Sequence, residues 1–407
     1  MEFKIKLKGN GYMFERLQHT KVFRDPIHNY IEVDYKIILS CIDTADFQRL
    51  RRIHQLGGVF EVYHTAEHSR FSHSLGVYQI IRKMIEKVEG LHEALSQYDE
   101  VALLLAALLH DIGHGPFSHV FELVGNISHE EYTKRILLED TEINKILSNA
   151  DKNLPKSVAD IISGDYKNKL CCDLISSQLD ADRMDYLLRD SYFTGTAYGT
   201  FDIERILKTC FVRDGKLIVK ESGVHAVEDY IMARYYMYWQ VYYHKASRSY
   251  EIMLIKLLER IKDLLQENNE EVYKYHMFIA LFVNEEINIH DYLDLDETVA
   301  GYGIYMMQKS KDVILRDLST RLMNRILFKH GDEEMREEIE AALESRGSFR
   351  KYYFFEEVNS KVPYKPQYIP ILIEGKHNEI KELSTCSAII SALVNNPNDI
   401  KTTIYYG

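Results

Sequence analysis

Apolar positions along this chain recur mainly at helical spacing. The clearest run is Leu103-Leu104-Leu105-Ala106-Ala107-Leu108-Leu109, which carries no charge and predicts a helix buried on every side. It leads into His110-Asp111, after which Gly113, Gly115 and Pro116 stop it. Upstream, 21–33 reads as short β-like flanks about a turn at Asp25-Pro26, and a helix is predicted over 35–54, ended by Gly57-Gly58. Arg70 and His73 share the face of a helix that continues past Met84 to Gly90. Short helices and turns occupy 140–175, and 173–189 reads as one amphipathic helix. Asp214-Gly215 between alternating residues predicts a type I′ hairpin over 209–220. Two long helices follow, 224–246 and 247–267, the first crowded with aromatics that suit a core seam or a subunit contact. Helices continue to about 345, the last charged and solvated. Beyond Gly347 the pattern shifts: strands over 349–356 and 368–373, a capped helix over 384–393, a last strand over 402–406. The expected fold is mainly α, with short β-hairpins and a small C-terminal α+β unit.

Composition narrows the class. The 407 residues suffice for two or three packed units. No apolar run approaches the roughly 20 residues a membrane helix needs, and Met1-Glu2-Phe3-Lys4-Ile5-Lys6 has no secretion signal. The five cysteines (Cys41, Cys171, Cys172, Cys210, Cys386) form no CxxC, which fits a reduced, cytoplasmic protein. A net charge of −12 disfavours binding along nucleic-acid backbones and makes any local cluster of Arg and Lys more informative.

The candidate chemistry starts at His110-Asp111. A carboxylate at the end of a buried helix is costly unless compensated. A divalent cation would compensate it, since imidazole and carboxylate are both good ligands; a helix end whose His and Asp point at water is the plainer alternative. Two further segments bear on the choice: His64-Thr65-Ala66-Glu67-His68-Ser69-Arg70-Phe71-Ser72-His73-Ser74-Leu75-Gly76-Val77 upstream, and Ser177-Gln178-Leu179-Asp180-Ala181-Asp182-Arg183-Met184-Asp185-Tyr186-Leu187-Leu188-Arg189-Asp190 downstream. With these motifs the chain, from about 21 to about 245, resembles the HD-domain phosphohydrolases. More narrowly it resembles the deoxynucleoside triphosphate triphosphohydrolases, including bacterial members and the animal enzyme with an added SAM domain.

The resemblance implies an HD-domain helical core and a reaction in which a dNTP and water give a deoxynucleoside and inorganic triphosphate. It implies one divalent metal ion per subunit (Mg, Mn, Fe, Ni or Zn), held by His73, His110, Asp111 and Asp182. His114, His119, Glu122, His129 and Glu130 match residues around the α-phosphate, with His119 protonating the leaving sugar oxygen. Arg70, Arg183, Tyr186 and Arg234 match triphosphate contacts. Tyr242 matches a residue that crowds C2′ and disfavours ribose, while Gln55 and Asp190 match readers of the 3′-hydroxyl; Leu56 and Tyr243 complete the substrate set. Lys21, Asp43, Gln48 and Arg51 match part of an activator-nucleotide site at a subunit interface, which implies a homo-oligomer, most simply a tetramer. Three departures are visible: Arg183 replaces a Lys of the animal enzyme, Tyr243 a Gln near the base, and Arg24 an Asn of the activator site.

The expected organisation is an N-terminal hairpin and helix over 1–60, a metal-binding core over 61–200, a helical region over 201–346 completing the nucleotide pocket and oligomer contacts, and the small unit over 347–407. Other HD-type reactions, on phosphodiesters, alarmone nucleotides or single-stranded nucleic acid, stay open at this point, as does a nucleotide-binding regulator.

Overall fold

A computed structural model describes residues 11–117, 119–125, 128–283, 287–359, 369–375, 379–395 and 401–407. The fold is mainly α, with small sheets at its margins. Strands β1 (Arg16–Asp25) and β2 (Asn29–Tyr35) form an antiparallel hairpin with Asp25 opposite Asn29. The Asp25 carboxylate makes the turn by accepting from the Ile27 and His28 amides, each at 2.9 Å.

Helix α1 (Lys36–Ile42) follows at once. The single helix expected over 35–54 is broken. The chain leaves α1 at Asp43, restarts as Ala45–Gln48, and finishes as a 3₁₀ turn over Arg49–Arg52. Thr44 causes the break: its hydroxyl accepts from the Phe47 amide at 3.2 Å, a local bond that competes with the helical ladder. Helix α2 (Arg70–Lys87) packs along α3 (Gln97–Leu109). A capping box between Ser96 and Asp99 opens α3, and every residue from Val101 to Leu109 is buried, as its uninterrupted apolar run requires.

Helices α4 (His119–Gly125) and α5 (His129–Leu138) come next, the latter capped by Ser128. The helix expected over 173–189 is two, Lys169–Ile175 and α6 (Ala181–Thr194). Asp180 divides them: one carboxylate oxygen accepts from the Arg183 amide at 2.8 Å, the other from the Ser177 amide at 2.7 Å. The next hairpin, β3 (Cys210–Arg213) and β4 (Lys216–Lys220), has φ of 52° at Asp214 and 70° at Gly215, as a type I′ turn needs. Helix α7 (Val224–Met237) widens into a π turn over Tyr238–Tyr242, and α8 (Lys245–Gln266) starts after His244 caps it.

The remaining strands are β5 (Lys329–Gly331), β6 (Phe354–Asn359), β7 (Pro370–Ile373), β8 (Glu379–Glu382) and β9 (Lys401–Tyr406). The strand expected from 349 starts only at Phe354, because Glu344–Tyr352 winds as 3₁₀ turns across Gly347 at φ 52°. The helix expected over 384–393 is divided into Leu383–Cys386 and Ala388–Asn395. Strands β7 and β8 extend the β3–β4 hairpin, with β4 and β7 parallel, while β9 lies between β5 and β6. Two large apolar cores result, with a small cluster of Phe211, Ile218 and Leu372 beside them. One core joins the first hairpin, α2, α3, α5, α6, α7 and Ile289–Leu293; the other joins α4, α8, most of the remaining helices between 270 and 343, and β9. No helix among the described residues is long and apolar enough to cross a membrane.

Candidate metal centre and pocket

The turn after α3 brings the first two candidate ligands together. Thr133 on α5 clasps it, accepting from the Gly113 amide at 3.0 Å and donating to the His110 carbonyl at 3.2 Å; the Tyr292 hydroxyl donates to the Gly113 carbonyl at 2.6 Å. Only glycine fits at 113, because a Cβ there would collide with the His129 carbonyl and the Thr133 amide. Helix α2 supplies His73 and the first turn of α6 supplies Asp182.

The four donor sets converge. His73 Nε2 lies 3.0 Å from Asp182 Oδ1 and 3.7 Å from Asp111 Oδ2; His110 Nε2 lies 3.4 Å from Asp111 Oδ1 and 3.6 Å from Asp182 Oδ1. Both rings are oriented from behind. His110 Nδ1 faces the Ala107 carbonyl at 2.9 Å and His73 Nδ1 faces Asp185 Oδ2 at 2.8 Å, so with an ion bound each Nδ1 would keep its proton and each Nε2 would turn a lone pair inward. His110 Nε2 is buried with no hydrogen-bond partner among the described residues. Burial opposes ionisation throughout, yet the neighbouring His110 and His73 rings hold the Asp182 carboxyl below the usual range. Against the same penalty, Asp182 and Asp185 push His73 up to about 10. The negative charge that does this is what a cation would offset, so the residues fit a divalent metal ion.

Around this centre, His114 Nε2 sits 3.3 Å from Asp111 Oδ1, and its ring stacks on His129 with centroids 3.8 Å apart. Glu122 holds His129 Nδ1 at 2.6 Å. Burial, and then the Arg70 guanidinium, keep the His114 pKa well below the ordinary imidazole value. Asp111, His114 and His129 are close enough to suggest a second ion, although Arg70 Nη1 already donates to Asp111 Oδ2 at 2.5 Å. Glu130 is exposed on α5, with no hydrogen bond or ion pair to the cluster among the described residues. The side chain of His119 lies outside the described residues.

A cavity of about 980 Å³ opens over the centre. Arg70, Asp111, His114, Glu122, His129 and Asp182 form its floor; Gln55, Leu56, Tyr186, Asp190, Tyr242 and Tyr243 line its walls. The Tyr242 hydroxyl donates to Asp190 Oδ2 at 2.7 Å, and His68 Nε2 meets Asp190 Oδ1 at 2.7 Å. Arg183 and Arg234 are not among the lining residues. Both grip the segment before α6: Arg183 Nη1 donates to the Asp180 carboxylate and to the Ser177 carbonyl, and Arg234 Nη1 donates to Gln178 Oε1 at 3.1 Å. Of the expected activator set, Gln48 and Arg51 meet, Arg51 Nε donating to Gln48 Oε1 at 2.7 Å; Lys21 is exposed on β1 and Asp43 ends α1.

Several supporting residues were not among the site residues expected from the sequence. Asp185 accepts from Arg189 Nε and Nη2 and faces His28 Nε2 at 2.7 Å, while Arg189 Nη1 reaches back to Asp25 at 2.8 Å. Gly76 makes room for this network, since a Cβ there would strike the Asp185 carboxylate. The i, i+4 spacing of Asp185 and Arg189, which puts an acid and a base on one helix face, is its one trace in the sequence.

Comparison with known proteins agrees with this geometry. Residues 70–190 match the HD domain and residues 201–377 the HD associated region. The chain is 44% identical to the uncharacterized protein YwfO of Bacillus subtilis, over 94% of this chain and 91% of that protein. It is 32% identical to the deoxynucleoside triphosphate triphosphohydrolase SAMHD1 homolog of Dictyostelium discoideum, over 60% of this chain and 50% of that one, so it spans about half the length of that relative. The crystal structure of a phosphohydrolase (BT4208) from Bacteroides thetaiotaomicron superposes with a TM-score of 0.82 at 30% identity, covering 96% of this chain and 100% of that one. The chain belongs to the HD-domain phosphohydrolase family.

Proposed function

We propose that the protein is a metal-dependent dNTP triphosphohydrolase, converting a dNTP and water to a deoxynucleoside and inorganic triphosphate. One observation supports the reading: a single cavity is lined by the Asp111 and Asp182 carboxylates and by the Tyr242–Asp190 pair, so a phosphate site and an acceptor for a sugar hydroxyl would share it. His73, His110, Asp111 and Asp182 would hold the ion, and Mg, Mn, Fe, Ni or Zn all suit such ligands. When bound, a divalent cation supplies Lewis-acid polarisation of a phosphoryl oxygen.

The chain's own residues do the rest. Arg70 stands on the floor, where a guanidinium pairs with phosphate oxygens. His129, oriented by Glu122, presents its remaining ring nitrogen beside His114 and serves proton transfer to or from the phosphate. Asp190 accepts the sugar 3′-hydroxyl, and the Tyr242 ring crowds C2′. The reading includes a nucleotide activator near Lys21, Asp43, Gln48 and Arg51, assembly as a tetramer, and a cytoplasmic location.

The test is to incubate the protein with each dNTP, alone and in pairs, and assay the products. Intact triphosphate is expected. Release of pyrophosphate or a monophosphate instead would replace the proposal by another HD-type hydrolysis. Asp182→Ala and His110→Ala should each lose bound metal and all turnover, because the ligands act as a set.

A further inference from the structure

The turn after His110 and Asp111 is held by a side chain from far downstream. The Tyr292 hydroxyl donates to the Gly113 carbonyl at 2.6 Å, across 179 residues of chain. It fits closely: a Cβ on Gly115 would come within 3.0 Å of the same oxygen. The Tyr292 ring lies flat on Tyr132 of α5, with centroids 3.5 Å apart and planes 3° from parallel. Tyr132 precedes Thr133, whose hydroxyl meets the Gly113 amide and the His110 carbonyl. Two neighbouring side chains therefore meet three polar groups of one short turn.

The segment that bears Tyr292 is itself clamped. Asn288 caps the Ile289–Leu293 helix, its side chain accepting from the His290 amide at 2.9 Å. Arg135 Nη2 donates to the Ile287 carbonyl at 2.8 Å and Arg49 Nε to the Leu295 carbonyl at 2.9 Å, so an arginine holds the chain on each side of the helix. The same two guanidiniums flank the stacked rings, Arg49 at 5.2 Å from the Tyr292 centroid and Arg135 at 5.7 Å from that of Tyr132. Arg49 is 1% exposed, and its Nη1 lies 3.5 Å from the Ile112 carbonyl. Burying a guanidinium is costly unless its donors are met. The carbonyls that meet Arg49 belong to the turn and to the segment that holds the turn.

A loose turn must be ordered when an ion binds, and that cost appears as weaker binding. A turn fixed beforehand has little freedom left to lose. We propose that Tyr292 is a positioning residue for the metal centre: through Gly113 it keeps the turn, and with it His110 and Asp111, set for an ion before one binds. The inference rests on the metal centre of the proposed function and adds to it a residue remote from every ligand in the sequence.

The experiment titrates the full chain with Mn2+ alone, reading free ion by electron paramagnetic resonance, in the wild type, in Tyr292→Phe and in Ile404→Val. Tyr292→Phe keeps the ring and its stack and removes the hydroxyl. Ile404 is buried in the other core, so its variant lowers stability without touching the turn. The dissociation constant should rise about three- to tenfold in Tyr292→Phe, less than the loss of a group bonded directly to a ligand ring would give. It should stay within about twofold of the wild type in Ile404→Val. In the metal-free protein the Asp111–His114 amides should exchange hydrogen faster in Tyr292→Phe than in the wild type. Wild-type affinity in Tyr292→Phe, or an equal weakening in Ile404→Val, would overturn the proposal. A wild type that binds no Mn2+ would remove the metal centre, and this inference with it, before any variant is compared. Mn2+ binding that is weakened in Tyr292→Phe, without triphosphate among the products, would keep the positioning role and remove only the reaction proposed above.

Discussion

The Nδ1–H of His73 points at Asp185, and that carboxylate is itself gripped by His28 and Arg189. A ligand ring held this way keeps its tautomer and its aim; removing the outer partner of a metal-bound histidine typically weakens metal binding about 10- to 100-fold. Asp185→Asn should therefore bind the ion that much more weakly in a competition titration with a chelator, with His110 and Asp182 intact. Unchanged affinity would mean that Asp185 serves only packing. Tyr242 allows a sharper separation. Tyr242→Phe keeps the ring but frees Asp190, whereas Tyr242→Ala removes both effects. If the ring rejects ribose sterically, rNTP turnover should rise only in Tyr242→Ala, by about tenfold or more; a rise in both would assign the discrimination to the hydrogen bond on Asp190. At this scale the four residues that converge as candidate metal ligands were legible because their residue types stand in recognisable motifs. His28 was not. His28 meets Asp185 across 157 residues of chain, and nothing local to a hairpin turn signals such a partner.

Between elements, Glu297 acts as a clasp. From the first turn of the Glu297–Met307 helix it accepts from the His54 amide at 3.0 Å and the Phe117 amide at 3.1 Å, and its other oxygen meets His54 Nδ1. It so joins the Gln55–Gly58 wall of the cavity to the turn after the metal ligands. Glu297→Ala should destabilise the fold by about 1–3 kcal/mol, the cost of leaving such donors unmet, measured by denaturant unfolding. Burial lowers the His54 pKa, but the hydrogen bond with Glu297 outweighs it and the net shift is upward. A raised folded-state pKa contributes stability that is complete below the unfolded imidazole value of about 6.5 and is lost as pH rises through the folded value. The stability lost in His54→Gln should thus be larger at pH 6 than at pH 8; an equal loss at both would exclude His54 as a pH-dependent contributor. The sequence pattern marked the helices but not their breaks at Thr44 and Asp180, and the break expected between 246 and 247 falls at His244. Each break is a polar cap inside an otherwise helical pattern, and periodicity does not see caps.

Over the whole molecule, the cavity lies where two apolar cores meet, drawing Leu56, Val59 and Tyr186 from one side and Phe117, Val120 and Ile255 from the other. β6, β7 and β9 read as strands, whereas β5 lies where helices were expected and β8 was not expected, and no partners were legible: β7 joins β4 from far upstream, and β9 threads between β5 and β6, pairings that leave no periodic trace. This topology makes the last strand decisive. β9 is the centre of its sheet, with Ile404 and Tyr405 buried in the second core, and it pairs with β6 from Phe354 to Asn359, which carries Glu357 into the cavity. Deleting 401–407 removes the buried side chains of Thr403, Ile404 and Tyr405 and leaves two strands without a neighbour, a loss of several kcal/mol at about 2–5 for a large buried aliphatic or aromatic group. A fall in melting temperature of many degrees is expected. The metal ligands sit in the other core, so metal content measured on the folded fraction at low temperature should survive the deletion while nucleotide binding is lost. A truncated protein that melts like the full chain would show that the sheet is not what holds the cavity's far wall.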